Sequence, residues 1–246
     1  MEEKNIGKKT SLVRKFFKIG IVKRIFFPIY KKMVLDPIYK KRNKVFLENG
    51  LETLTVFHQC MEKYNHPYTL MFGSLLGAIR EHGFIKHDLD IDTCVWWDDY
   101  SPDIENHLKE FGFEIADVTL IDDGNTGRHE SYRYKGVTLD IFYIYPAVDK
   151  LPFTCDYGKQ PGCSSREQCV ALYGGVLPRR IELPFTRERE LVDFMGIKVY
   201  IPTNAHELMR CRYGENYMIP NPDKNSSYVY PVEWPEKLGV ITIYEE

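Results

Sequence analysis

The sequence predicts an α+β fold on three observations. Its 246 residues are 43% hydrophobic and 28% charged, which is typical of a globular chain long enough to bury a full core. A short apolar run, a Gly-Ser pair and a helical pattern follow one another between residues 68 and 83. Strand-like alternation with turn signals then recurs at 113–146 and 190–202.

The start of the chain is basic. Residues 1–44 hold fourteen Lys and Arg and three Asp and Glu, so their net charge is +11, while the remainder carries −13. Aromatic and aliphatic residues interleave with the basic ones, as in an amphipathic segment on an anionic membrane. Docking of this segment on the acidic body explains the pattern equally well. We therefore predict a basic amphipathic arm, 1–44, and a main domain, 45–246, whose tail from residue 215 wraps over the body.

The class of partner and the compartment follow from what the chain lacks. No recognised nucleic-acid module accompanies the basic arm, so we expect no nucleic-acid partner. No secretory signal is evident, and no apolar run approaches the ~20 residues that span a bilayer. We expect a cytoplasmic protein that can sit peripherally on the cytoplasmic face of a membrane.

The six cysteines are too scattered for a disulfide scaffold at this length. Three of them, Cys155, Cys163 and Cys169, lie close together in the sequence but lack the C-x₂-C spacing of zinc sites. Whether these three bind a metal stays open.

An amphipathic helix is predicted over residues 45–64, where apolar residues recur at three- and four-residue steps. Asn65-His66-Pro67 ends it. His58 lies on or near the apolar stripe and is more simply a packed histidine than a ligand.

Residues 71–97 concentrate the chemistry of the chain. The run at 68–72 predicts a buried strand that ends at Gly73-Ser74. Ser74 suits the N-cap of the next helix, and Gly83 suits its C-terminal stop. Because the unpaired N–H groups of a helix start favour an anion, a phosphate can bind at this Gly-Ser pair.

Alternating acids follow this helix. A strand over 90–97 places Asp90 and Asp92 on one face. Like charges this close are costly unless a cation lies between them, and oxygen ligands favour Mg²⁺ or Mn²⁺. Asp88 has the same parity, so it either joins this face or precedes the strand and supports the ligands from behind. The alternative is that all three are solvated acids at a strand end.

Asp140 is a further candidate. A helix over 103–111 is followed by strand patterns, the last of which is VTLDIFYIYP. Asp140 faces opposite to Leu139 and Ile141 in that run. A carboxylate is costly to bury alone there, which indicates a third metal ligand or a base beside the metal. A capping or edge acid is the alternative.

The last third of the chain carries weaker signals. Arg179-Arg180 could reach a phosphate, although a solvated pair is the simpler interpretation. Residues 190–202 predict a hairpin. Asn204 with Glu207 resembles a capping box that opens the last helix.

Three motifs occur in order along the chain: GSLLGAIREHGFIKHDLDID, VTLDIFYIYP, and FMGIKVYIP with RYGENYMIPNP. Together they resemble the LicD family of phosphotransferases, whose relatives include the fukutin proteins, over residues 68–222. The resemblance implies a nucleotidyltransferase-like mixed β-sheet flanked by helices. It also implies transfer of phosphocholine or a phospho-alditol group from a CDP-activated donor, CDP-choline or a CDP-alditol, to a hydroxyl of a cell-surface glycan.

The resemblance also carries site residues. It assigns the metal to three carboxylates, Asp90, Asp92 and Asp140. It places Gly73 and Ser74 on the donor phosphates and makes Arg80 a phosphate contact, although the local pattern alone makes Arg80 a surface helix residue. Lys86-His87-Asp88 stands where the family usually has Pro-Trp-Asp, which bears on donor or acceptor identity more than on the metal site.

Two parts of the resemblance leave choices open. Tyr213 and Gly214 match the late motif, and we assign them to helix-end packing. A true nucleotidyltransferase that attaches a nucleoside monophosphate is one alternative to the transferase. A non-catalytic, membrane-associated scaffold of the same fold is the other.

Overall fold

The computed structural model describes residues 31–148, 150–220 and 231–244, and the α+β class is confirmed. Residues 1–30 of the basic arm and 221–230 of the tail lie outside the described residues. The described helices are α1 (Asp36–Lys63), α2 (Phe72–Glu81), α3 (Asp103–Glu110), α4 (Arg166–Tyr173) and α5 (Ala205–Tyr213). The described strands are β1 (Thr69–Leu70), β2 (Asp90–Trp96), β3 (Glu114–Ile121), β4 (Gly127–Tyr134), β5 (Val137–Ile144), β6 (Phe153–Gly158), β7 (Leu177–Glu182), β8 (Arg189–Phe194), β9 (Ile197–Pro202), β10 (Val232–Glu233) and β11 (Val240–Ile243).

The largest sheet in the described part of the chain has the order β1-β2-β5-β4-β3-β11. Strands β2 and β5 run parallel, and the other neighbouring pairs are antiparallel. The apolar residues that alternate with the acids are buried in the core, among them Ile91, Leu139 and Tyr132. A smaller sheet, β10-β7-β6, and the hairpin β8-β9 complete the strand architecture described.

Helix α1 is longer than the sequence predicts. It begins at Asp36, with a proline in its first turn, and continues to Lys63. The boundary placed after residue 44 therefore coincides with no break in the helix. Phe46, Leu54 and Phe57 on its apolar side are fully buried, which explains why the helix is held along its length.

The Gly-Ser turn differs from the prediction. The strand before it is only two residues long, and α2 begins at Phe72, so Gly73 and Ser74 lie in the first helical turn. The expectation that Ser74 caps the helix is wrong, because its hydroxyl is buried and accepts a hydrogen bond from the backbone N–H of Asp92 (2.9 Å). The helix ends at Glu81, and the residue after it, His82, adopts the left-handed conformation. This is one residue before the predicted stop at Gly83.

Two local predictions are confirmed. His58 is a packed histidine, with its Nδ1 atom 2.9 Å from the hydroxyl of Tyr68. The hairpin β8-β9 turns at Met195 and Gly196, which both have positive φ (50° and 88°), as a tight two-residue hairpin turn requires.

The last helix begins at the predicted residue for a different reason. Asn204 precedes α5, but its side chain does not accept a backbone N–H. Its amide instead donates to the carbonyl of Pro184 (2.7 Å) and to the Glu207 carboxylate (3.1 Å). The capping-box prediction is therefore wrong in its hydrogen bonding.

The tail crosses both sheets. Strand β10 pairs with β7, and β11 pairs with β3, so residues 231–244 contribute an edge strand to each of the two larger sheets. None of the helices described is both long and apolar enough to cross a bilayer.

Candidate active site

A row of polar side chains crosses the largest sheet. The strand register pairs Asp92 of β2 with Asp140 of β5, Asp140 with Ser131 of β4, and Ser131 with Asp117 of β3. Directly paired residues point to the same face of a sheet, so these four side chains form one line. We call Asp92, Asp140, Ser131 and Asp117 the acid row. Asp90 lies two residues before Asp92 and shares its face, as the alternation predicts.

The start of α2 is locked to the acid row. The backbone N–H of Gly73 donates to Oδ2 of Asp92 (3.2 Å), while the hydroxyl of Ser74 binds the Asp92 backbone. A side-chain carbon on Gly73 would lie 3.5 Å from Asp92 Oδ2 and 3.7 Å from Asp88 Oδ1. The positive end of the helix therefore faces two carboxylates, which it helps to stabilise. Binding of donor phosphates at this turn stays a prediction.

The carboxylates around this turn lie in surroundings that disfavour their ionised form. Burial, followed by the negative charge of Asp90, raises the pKa of Asp88 to about 7. Burial also raises the pKa of Asp92, to which Asp90, Asp140 and Asp88 add repulsion. Burial, followed by the negative charge of Asp140, also raises the pKa of Asp90. Additional positive charge beside these carboxylates would therefore stabilise their ionised form at neutral pH.

A divalent cation fits this chemistry. The donor set is all oxygen, as Mg²⁺ and Mn²⁺ prefer, and Oδ2 of Asp88 is buried without a hydrogen-bond partner. In the conformation described, no group of three or more His, Cys, Asp or Glu within residues 31–148, 150–220 and 231–244 forms a complete metal site. The carboxylates would therefore reorient, with water or donor oxygens filling the remaining positions. Cys155, Cys163 and Cys169 likewise form no such group in the part of the chain described.

Asp140 is positioned by strand β4. Ser131 donates its hydroxyl to Oδ1 of Asp140 (2.5 Å), and Nε2 of His129 lies 3.5 Å from the same oxygen. Burial raises the pKa of Asp140 to about 6, against the opposing effects of Ser131, Arg166 and Arg42. Burial lowers the pKa of His129 to about 4, so this imidazole is neutral near pH 7.

Sequence reasoning missed Ser131 and His129. Both lie in RHESYRY, where residues 129 and 131 share one face and the bulkier Tyr132 lies on the other. Their relation to Asp140 depends on the pairing of β4 with β5. Aligning the two runs as a hairpin around Lys135-Gly136 would have brought Ser131 opposite Asp140.

The predicted arginine contacts have other partners. Arg80 donates to Oε1 of Glu81 (2.7 and 3.1 Å) and to the carbonyl of Tyr217 (3.5 Å), although it lies near enough to Asp88 to oppose the rise in that residue's pKa. Its phosphate contact stays a prediction. Arg179 forms a two-bond pair with Asp156 (2.8 and 2.9 Å), and so is not the solvated residue expected.

Tyr213 also lies at this site. It ends α5 and is largely buried, and burial together with the charge of Asp92 raises its pKa to about 12. Its hydroxyl therefore stays protonated beside the acids. The assignment of Tyr213 to helix-end packing alone was incomplete, and only the approach of α5 to the start of α2 reveals the contact.

Comparison with known proteins identifies the family. A model described as "LicD/FKTN/FKRP, nucleotidyltransferase domain" matches residues 65–204. The chain belongs to the LicD family. The matched span contains the Gly-Ser turn and the whole acid row, whereas α1 precedes it. The resemblance stated from the motifs is confirmed.

Named relatives of this LicD family chain fall into two groups. Ribitol-5-phosphate transferase FKTN of Mus musculus is 26% identical over 220 residues, covering 84% of this chain and 41% of that protein. The Homo sapiens protein of the same name is 23% identical over 212 residues, with 81% and 41% covered. Lipopolysaccharide cholinephosphotransferase LicD of Haemophilus influenzae is 40% identical over 74 residues, or 28% of each chain. The chain thus aligns with less than half of each relative.

Proposed function

We propose that this protein is a metal-dependent phosphotransferase. It moves phosphocholine or a phospho-alditol group from a CDP-activated donor to a hydroxyl of a cell-surface glycan. The observation that carries this proposal is the crowding of Asp88, Asp90, Asp92 and Asp140 beside the start of α2, with one buried oxygen unpaired. Membership of the LicD family supports the reaction class.

Asp90, Asp92 and Asp140 would hold Mg²⁺ or Mn²⁺, with Asp88 beside them. A bound divalent ion supplies positive charge for the donor diphosphate and for the charge that develops during transfer. The start of α2 would orient the phosphates through its backbone N–H groups. For that purpose the Gly73 amide would exchange its Asp92 carboxylate partner for a phosphate oxygen.

In the transfer itself the acceptor hydroxyl oxygen attacks the donor's β-phosphorus. The new phosphoester bond forms as the bond to the bridging oxygen breaks, and CMP leaves. Asp140, or the metal-bound arrangement around it, would take the hydroxyl proton. Ser131 holds Oδ1 of Asp140, so Oδ2 is the oxygen that would face the metal and the acceptor.

The donor head group is the finer question. The mouse and human relatives, named as ribitol-5-phosphate transferases, align over most of this chain. The relative named as a cholinephosphotransferase is more similar over a shorter span. Both head groups therefore stand in the proposal, with the phospho-alditol supported by the longer alignment.

A second candidate is a nucleotidyltransferase, the activity after which the matching family domain is named. The two reactions leave different groups on the product. The full chain would be incubated with CDP-ribitol, CDP-glycerol or CDP-choline, each labelled separately in the cytidine and in the head group, together with cell-surface glycan and Mg²⁺ or Mn²⁺. Head-group label on the glycan with release of CMP supports the proposal. Cytidine label on the glycan supports the second candidate, and no turnover with any donor supports a non-catalytic scaffold.

We also propose peripheral attachment to the cytoplasmic face of a membrane through residues 1–44. In the described part of that segment, lysines 31, 32, 40, 41 and 44 are all exposed. Each basic residue near an anionic surface contributes about 1 kcal/mol. The full chain should sediment with phosphatidylserine vesicles at low salt and be released as salt rises. Equal binding to neutral vesicles, or binding that ignores salt, would contradict this attachment.

A further inference from the structure

The first residue of helix α2 has an unusual backbone conformation. Phe72 adopts a positive φ of 43°, a region that a bulky side chain rarely enters. Gly73 follows it, and the Gly73 N–H group donates to the Asp92 carboxylate (3.2 Å). Such strain persists only where the surrounding contacts fix the backbone, and it is concentrated at active sites and ligand-binding sites. The contacts that hold Phe72 therefore also fix the N–H group that faces the carboxylates.

Two side chains contact the Phe72 ring. The Phe142 ring meets it edge to face, with 5.1 Å between the ring centroids. Phe142 follows Asp140 by two residues on β5, so its side chain lies on the face of the sheet that carries the acid row. The guanidinium of Arg212 lies over the Phe72 ring, with Cζ 5.0 Å from the ring centroid. These contacts bring the positive charge of Arg212 to the same face of the sheet.

Helix α5 places Arg212 at this position. The helix packs against α2, and Arg212 lies in its last turn, directly before Tyr213. The guanidinium is also 6.0 Å from the centroid of the Tyr213 ring, so it contacts an aromatic ring from each of the two helices. The Arg212 side chain is partly buried. Only the side chain of Phe72 separates its charge from the Gly73 backbone, where the donor phosphates are proposed to bind.

The guanidinium group suits a phosphate at this place. Contact with an aromatic ring holds a guanidinium electrostatically and is compatible with hydrogen bonds from its N–H groups. Two of these groups can hold two phosphate oxygens at once in a planar geometry, which an ammonium group cannot do. Arg80, the arginine that the motif assigns to phosphate, donates to Glu81 and to the Tyr217 carbonyl. Arg212 is the arginine whose printed sequence neighbour and ring contacts both lie at the start of α2.

We propose that Arg212 binds the diphosphate of the activated donor together with the start of α2. The inference rests on the proposed function, because it takes the donor to be a nucleoside diphosphate compound. It adds a donor-binding residue from α5, beyond the span matched by the family model, which ends at residue 204. Phe72 is a positioning residue in this arrangement, since it acts through the Arg212 guanidinium and the Gly73 backbone.

The test is calorimetric titration of CDP, in the presence of Mg²⁺, into the full chain and three variants. Arg212→Gln removes the charge and the paired donors, whereas Arg212→Lys keeps the charge alone. Arg210→Gln is the matched control, because Arg210 lies in the same helical turn and is exposed. We expect the Kd for CDP to rise at least about tenfold in Arg212→Gln, by less in Arg212→Lys, and within about twofold in Arg210→Gln.

Steady-state kinetics and thermal melting separate binding from packing. If Arg212 binds the donor, Arg212→Gln raises the KM for the donor and leaves the KM for the glycan unchanged. If Arg212 serves only to join α5 to α2, the substitution lowers the melting temperature while the folded variant binds CDP as tightly as Arg210→Gln does. The second result overturns the proposed role of Arg212.

The outcomes also distinguish this inference from the proposed function. Equal CDP affinity in Arg212→Gln and Arg210→Gln, while the wild type turns over its donor, overturns the role of Arg212 and leaves the proposed function intact. Should Arg212→Gln not fold, Arg212→Lys takes its place, and a Kd equal to that of Arg210→Gln overturns the role in the same way. If the wild type binds no CDP and turns over no CDP donor, the proposed function fails and this inference fails with it.

Discussion

Glu130 of strand β4 and Asp88, which lies in the loop before β2, differ in how their carboxylate oxygens are satisfied. Glu130 is fully buried, and its carboxylate accepts from Arg128 Nε (2.6 Å), from the Tyr132 hydroxyl (2.9 Å) and from the Tyr143 hydroxyl (3.0 Å). Asp88, one strand and a loop away, keeps a buried oxygen with no partner. Protein groups alone satisfy the carboxylate of Glu130, whereas a ligand from outside the protein would be needed to satisfy the unpaired oxygen of Asp88.

This difference distinguishes an acid whose charge the protein satisfies from one that keeps an unpaired oxygen. In the sequence Glu130 lies within a strand pattern and Asp88 lies just before one, and a carboxylate is costly to bury in either place. A buried charge with a cation and two hydroxyl groups around it stabilises one conformation of the core. A buried charge surrounded by other carboxylates destabilises the unliganded protein and gains most from a bound cation.

The largest effect should come from a substitution among the four clustered carboxylates, Asp88, Asp90, Asp92 and Asp140. Asp92→Asn should lower the rate of transfer at least about 100-fold, because it removes the carboxylate that Asp88, Asp90 and Asp140 all surround. The measurement is CMP release per folded molecule, with folding checked by circular dichroism. Full activity in a folded Asp92→Asn protein would falsify the proposal that Asp88, Asp90, Asp92 and Asp140 form the active site.

Glu130→Gln should affect stability instead. Breaking a buried ion pair leaves Arg128 without its partner and costs about 3–5 kcal/mol in the free energy of unfolding. For a chain of this size that corresponds to a fall of about 10 °C in the melting temperature. Transfer per folded molecule should stay near the wild-type value at low temperature. A stable but inactive Glu130→Gln protein would show that this network belongs to the site as well.

The smallest effect is a pH dependence of stability. The pKa of Asp88 is raised to about 7 in the folded protein from an unfolded value near 4, so the folded state binds more protons between about pH 4 and pH 7. Stability of the metal-free protein should therefore fall as the pH rises through this window. Asp88→Asn removes the charge and with it this loss.

The measurement for this prediction is the melting temperature of both metal-free proteins. We expect similar values near pH 4, a difference in favour of Asp88→Asn that grows up to about pH 7, and a value a few degrees higher for that variant at pH 8. Comparing the two proteins removes the contribution of His129, whose lowered pKa acts in the opposite direction below about pH 6.5. A difference that does not grow with pH contradicts the buried charge on Asp88.

The grouping of the acids could be predicted from the sequence because alternation along a strand decides which residues share a face. Asp90 and Asp92 could be placed together from their spacing alone, and Asp140 from its apolar run. The role of Ser74 could not be predicted, since its hydroxyl binds the backbone of a strand almost twenty residues later. A local capping pattern carries no information about such a contact.

The remaining differences have the same physical origin. Tyr213 lies near enough to Asp92 for that carboxylate to raise its pKa, and only the packing of α5 against α2 brings the two residues together. The break placed after residue 44 followed a change in charge density. Charge density does not end a helix, however: α1 runs unbroken through residue 44, and its buried apolar residues, from Phe46 onward, hold it on the core.

The most direct test of the carboxylate cluster is a calorimetric titration of Mn²⁺ at pH 8 into the wild type, Asp92→Asn and Glu130→Gln. Saturable binding should occur in the wild type and in Glu130→Gln, and should be lost or at least about tenfold weaker in Asp92→Asn. Equal Mn²⁺ binding by the wild type and Asp92→Asn would contradict the assignment of this cluster as the metal site.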